Sequence, residues 1–221
     1  MGIIEKMRLD EKNNCDRGSK GIGKSVAIAF AEAGADITIV DLNIDEAEKT
    51  TTELKNNNGI QSIAVQADVS KPGEVNSMMN KVLGEFGYLN VAFCNAGICI
   101  NTPVKEMTFK EREKVIDVTL ISVFLTAQAA GKVMIEGGGG SIINMASMSG
   151  HNVNIPQLQC AYNASKAGVI QLTKSLAVEW ATKNVRINWH RFNEWGNRKN
   201  YNPSAFILLM IRAVLQRGRI L

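Results

Sequence analysis

Short apolar runs with a period of two alternate along this chain with longer stretches whose apolar positions recur near every third or fourth residue. The short runs predict strands at Asp36–Val40, Ser62–Gln66, Asn90–Cys94, Ser141–Met145 and Val185–Asn188. The longer ones predict helices at Gly23–Ala33, Ile44–Asn56, Pro72–Phe86, Thr108–Met134 and Ala161–Thr182. Asn57-Asn58-Gly59 and Gly87 supply stop signals for two of these helices. Strands and helices taking turns in this way predict an α/β class, with a parallel sheet covered by helices on both faces. Gly137 to Gly140 follow a helix and precede a strand, so they read as a flexible turn and not as a phosphate loop. No repeat or linker interrupts the pattern, and one domain over residues 1–221 is expected, with 1–17 and 189–221 atypical.

Composition narrows the classes. The 221 residues are 45% hydrophobic and 21% charged, ordinary for a globule with a core. The formal net charge of +4 is mild. Its basic excess gathers after Asn184 (Arg186, Arg191, Arg198, Lys199, Arg212, Arg217, Arg219) and reads as solvated surface. It lacks the aromatic interleaving of a nucleic-acid face, so no nucleic-acid partner is expected. Cys15, Cys94, Cys99, Cys160, His151 and His190 have no metal-ligand spacing, so no metal is expected and the cysteines read as free thiols in a reducing compartment. No signal peptide is evident, and no apolar run reaches the roughly 18 residues of a membrane span. A cytoplasmic protein without a membrane partner is expected.

The chemistry concentrates at Tyr162-Asn163-Ala164-Ser165-Lys166. A Tyr and a Lys at i, i+4 lie on adjacent turns of one helix face. An ammonium there is expected to lower the phenol pKa from its reference of about 10 and so fit Tyr162 for proton transfer near neutral pH. Upstream, Ser147 follows the Ser141–Met145 strand, where open α/β sheets place ligands. Gly18-Ser19-Lys20-Gly21-Ile22-Gly23 opens a helix, and closely spaced glycines let backbone amides approach a phosphate. Asp41 ends the next strand about 20 residues on, where a carboxylate can accept from both ribose hydroxyls of an adenosine.

Together with Ala67-Asp68-Val69 and Cys94-Asn95-Ala96-Gly97, these residues stand in an order that resembles the short-chain dehydrogenase/reductase family, from about Met7 to Asn188. The stretch from Ser141 to Trp180 is most similar to its polyol and ketose reductases, of the sorbose reductase or mannitol dehydrogenase type. The resemblance implies a Rossmann-like doubly wound parallel sheet and hydride exchange between a nicotinamide and an alcohol or carbonyl carbon. It implies Tyr162 as general acid/base, Lys166 as the group that lowers its pKa and holds the nicotinamide ribose, and Ser147 as donor to the substrate oxygen, with Ser149 as fallback. Gly18 through Gly23, Asp41, Asp68, Val69, Asn95, Ala96 and Gly97 would hold the cofactor. Asp41 favours NAD; Lys20 keeps NADP open. A small-molecule alcohol or carbonyl substrate follows, and a homo-oligomer, dimer or tetramer, through the helices carrying Thr119 and Tyr162.

Three positions depart from that pattern. Asp117-Val118-Thr119-Leu120 has Thr119 where the family carries an Asn in its proton relay, which predicts a weakened relay. Asn13-Asn14-Cys15-Asp16-Arg17 has no strand propensity at the expected place of a central strand. Beyond Asn188, Trp189-His190-Arg191-Phe192 abandons the family pattern, which leaves the final strand region degenerate, although Ala205–Leu209 suits a helix turn. Codons exist for Asn14–Gly18 and for Arg212–Gly218 that restore family-like segments when read in another frame. The alternative reading is therefore a catalytically impaired relic, or a non-enzymatic binding protein, from a frame-disrupted gene copy.

Overall fold

The computed structural model describes the backbone of residues 13–16 and the whole of residues 19–190. Gly18, the 205–209 run and the 212–218 segment lie outside these. Six parallel strands run β1 (Asn13–Asp16), β2 (Asp36–Asp41), β3 (Ser62–Gln66), β4 (Val91–Cys94), β5 (Gly140–Met145) and β6 (Val185–His190). Their spatial order is β3-β2-β1-β4-β5-β6. Sequence order therefore reverses between β1 and β4, and a crevice opens at such a point beyond the carboxyl ends of the strands.

Period-two alternation divides the apolar residues between two layers. Ile37, Ile39, Val91, Phe93, Ile143 and Met145 meet α1 (Gly21–Glu32) and α2 (Ile44–Asn58) through Val26, Phe30, Ala47 and Leu54. Val40, Val65, Ala92 and Ile142 face the other layer. It is built by α3 (Pro72–Phe86), α4 (Phe109–Ile116), α5 (Ser122–Glu136) and α6 (Cys160–Glu179). Each fully buried Phe, Ile or Val contributes about 1.5–3 kcal/mol. The helix stops act as expected. Gly59 and Gly87 take left-handed φ values of 68° and 78°, and each returns its N–H to the last turn.

The central strand differs from expectation. Asn13–Asp16 forms parallel pairs with both β2 and β4, from Asn13 opposite Asp36 to Asp16 opposite Phe93. Ladder hydrogen bonds join backbones, and two apolar neighbours template the segment whatever its own propensity. The far end differs too. Trp189 and His190 extend β6, opposite Asn144 and Met145. The predicted helix at 108–134 is a 28-residue helical span, Phe109–Glu136, with a π turn at Asp117–Ile121 between α4 and α5. By length and composition it would suffice to cross a membrane, contrary to the expectation of no such run. Its stripe of Val115, Val123, Ala127, Ala130 and Met134 is fully buried in the protein, as in a core helix.

Candidate functional site

Both halves of the crevice are made by segments leaving strand ends. On one side, β2 ends at Asp41, whose carboxylate is held from two directions. The Ser19 hydroxyl donates to Oδ2 at 2.5 Å and the Asn43 N–H to Oδ1 at 3.1 Å. Asn43 in turn accepts from the Glu46 N–H at 3.3 Å and caps α2. Lys20 lies 3.3 Å from Glu46 in an ion pair. Ser19, Lys20, Asp41, Asn43, Glu46, Asn95, Ala96 and Gly97 line a polar hollow of about 610 Å³.

The α1 N-terminus meets this hollow. Among the described residues no side chain caps it, and its first turn carries no acid. Unpaired first-turn amides with the positive end of the helix dipole suit a phosphate. Gly21 there has a φ of 63° and open space where a Cβ would stand. A dinucleotide therefore fits the groups present: amides that donate to its phosphates and the Asp41 carboxylate that accepts from a ribose. Of the other expected cofactor residues, Ile22 packs into the core and Gly23 is buried within α1. Val69 lines an adjoining small apolar hollow of about 20 Å³ with Val40, Phe93, Asn95 and Ala96. The Asp68 carboxylate accepts from the Ser70 N–H at 3.0 Å and from its hydroxyl at 2.7 Å, so one of its oxygens serves a turn.

On the other side, β5 ends in a turn through Ser147 to Gly150. The Ser149 N–H donates to Ser147 Oγ at 3.1 Å, and the Ser147 hydroxyl lies near enough to Tyr162 on α6 to favour its phenolate. Ser149, the fallback, accepts from Asn154 at 2.8 Å and from Gln159 at 3.2 Å and has a bracing role. Gly150 needs to be glycine. An added Cβ would stand 2.8 Å from the Lys166 backbone and 2.7 Å from Ile170 Cδ1, so the turn seats directly on α6.

Lys166 is 2% exposed. Its ammonium donates to the Met145 carbonyl at 2.6 Å and sits 5.7 Å from the centre of the Tyr162 ring. Burial pushes the Lys166 pKa down to about 8. Burial likewise pushes the Tyr162 phenol up, against the lowering effect of the nearby Ser147 hydroxyl; a thiolate at Cys99 would raise it further. This corrects the expected direction. Desolvation is the largest influence on the phenol, and the hydrogen bond of the neighbouring ammonium goes to Met145.

Thr119 is fully buried, and it and Lys166 Nζ both lie within 4 Å of where a Cβ on Gly97 would stand. Its hydroxyl donates to the Ile98 carbonyl at 3.2 Å and accepts from the Ile98 N–H at 3.1 Å. That single hydroxyl braces the loop after β4. Sequence reasoning missed Asn43 and Glu46, although an Asn just before a helix is a cap signal. It also missed Gln159, which accepts from Cys99 at 3.1 Å and donates to Ser149 and Asn163. No periodicity marks that residue.

This arrangement has counterparts. Residues 18–190 match the family model of the short chain dehydrogenases. A sorbose reductase of Candida albicans is 37% identical over 77% of this chain and 61% of its own length. A probable NADP-dependent mannitol dehydrogenase of Yarrowia lipolytica is 39% identical over 81% of this chain and 65% of its own. The chain thus spans less than two thirds of these two curated relatives. A crystal structure of a short-chain type dehydrogenase/reductase from Mycobacterium marinum superposes with a TM-score of 0.82 at 39% identity, covering 86% of this chain and 77% of that one. The chain belongs to the short-chain dehydrogenases, a family of oxidoreductase enzymes.

Proposed function

We propose that this chain interconverts an alcohol and a carbonyl, with NAD as the hydride carrier and Tyr162 as the general acid/base. The observation that carries the reading is the Lys166 ammonium 5.7 Å from the centre of the Tyr162 ring at the carboxyl end of the sheet, with the Ser147 hydroxyl nearby favouring the phenolate. A nicotinamide dinucleotide, when bound, supplies the site that gives or takes a hydride. In reduction, Tyr162 gives its phenolic proton to the carbonyl oxygen; in oxidation the phenolate takes it back. Ser147 donates to the same oxygen and stabilises the charge that develops there. Lys166 favours the phenolate by its charge.

Asp41 supports NAD, since a carboxylate at the ribose repels a 2′-phosphate. The Yarrowia relative is NADP-dependent by name, so the preference is this chain's own. A small polyol or ketose is the substrate class that the named relatives support. A homo-oligomer through α5 and α6 is supported by the exposed apolar side chains Phe124 and Val178 on those helices and Ile121 in the π turn that precedes α5. A cytoplasmic location accords with the free thiols of Cys99 and Cys160.

Fluorescence titration with NADH and NADPH tests the cofactor: saturable binding with NADH the tighter is expected, and no binding leaves only the relic. Tyr162→Phe is expected to lower kcat for a ketose by about 10²–10⁴ while NADH binding is kept. Unchanged turnover would assign the acid elsewhere.

A further inference from the structure

We infer that Glu46 is a specificity residue that excludes a 2′-phosphorylated nucleotide by occupying Lys20. The inference rests on the NAD reading above and deepens it. Lys20 and Glu46 line the polar hollow together with Asp41. Lys20 is the cation among its described lining residues, and its ammonium lies 3.3 Å from Glu46 Oε1. Formal charge at the ribose end is thus two carboxylates against one ammonium. The Asn43 side chain holds the Glu46 N–H while the Asn43 N–H holds Asp41, so one short turn fixes both acids relative to each other. Asp41 accepts ribose hydroxyls in either case. Glu46 acts only on a charge at the 2′ position: it neutralises the cation that would meet a phosphate there and adds a second repelling carboxylate.

The Lys20 side chain is 72% exposed, so the ion pair itself adds little to folding. That makes it separable from the fold. Glu46→Gln keeps the size and the backbone cap and frees the ammonium. Two probes without nicotinamide, 2′,5′-ADP and 5′-AMP, differ only in the 2′-phosphate and so report on the ribose end. Calorimetric titration of the full chain is expected to show Glu46→Gln binding 2′,5′-ADP about tenfold more tightly, with 5′-AMP changed less than about twofold. The gain should vanish in Lys20→Met/Glu46→Gln and shrink as salt rises from 50 mM to 0.5 M, because screening acts on exposed charges. Equal changes for both probes, or a gain that survives loss of Lys20, overturn the inference. Wild type binding 2′,5′-ADP more tightly than 5′-AMP refutes the NAD reading, while a Lys20-dependent gain in Glu46→Gln would still uphold the role of Glu46. A preference for 5′-AMP that ignores Glu46→Gln does the reverse. No saturable binding of either probe refutes both.

Discussion

The two walls of the crevice are built on opposite principles. The β1–α3 side meets its ligand with charges at the surface: Lys20 is mostly exposed and Glu46 partly so. The β4–β6 side meets its ligand with groups sunk into packing, with Lys166 at 2% and Thr119 at 0% exposure. Recognition of a nucleotide needs electrostatic sign and reach, which tolerate water. Proton transfer needs fixed geometry and altered acidity, which require its exclusion. Changes on the first side should therefore move affinity and spare the fold, whereas changes on the second move both.

Lys166→Met gives the sharpest contrast. It should lower kcat by at least 10²-fold, yet raise stability at pH 7 by about 1–3 kcal/mol, because a buried ammonium costs free energy. The sign follows from its folded pKa of about 8 against an ordinary lysine value of 10.5. Below pH 8 both states are protonated and the full penalty stands; between 8 and 10.5 the unfolded state binds more protons and native stability rises. Denaturant melts of wild type and variant across that range should converge as pH rises; a gap that widens breaks the argument. Gly150→Ala comes next. The turn must lift off α6, with a loss of about 1–3 kcal/mol in a urea melt and a fall in kcat. Asp41→Asn, on the other wall, should weaken NADH about tenfold by fluorescence and leave the melting midpoint within about 2 °C. An Asp41 variant that unfolds the protein would erase the distinction between the walls. The smallest effect lies in the pH profile. With Tyr162 pushed upward from an ordinary value of 10, alcohol oxidation should keep rising to pH 10 as the phenolate fraction grows, while carbonyl reduction stays level because the phenol keeps its proton; kcat for both directions over pH 6–10 checks the sign.

The comparison also explains what the chain disclosed beforehand. Helix stops at Gly59 and Gly87 and the placement of Tyr162 over Lys166 are local, set by period and turn chemistry, and they were readable. The strand at Asn13–Asp16 was not, because its cause lies in β2 and β4 and not in its own residues. The extension of β6 through Trp189 and His190 was hidden in the same way. Acidity at Tyr162 was misjudged because burial is a property of the fold, whereas i, i+4 spacing sees only the neighbouring charge. Lys20 and Glu46 belong to different helices' starts, and no spacing rule joins them.

The bare end of α1 has a consequence for assembly of the fold itself. Its amides lack a side-chain partner among the described residues, and they stand beside a central strand of Asn, Asn, Cys and Asp that brings little apolar surface of its own. Occupancy by a dinucleotide would supply the missing acceptors and pull the native population upward by mass action, about 2.7 kcal/mol at a concentration of one hundred times Kd. In such a protein the nucleotide level of its surroundings would govern how much of the chain persists folded, as well as how fast it turns over.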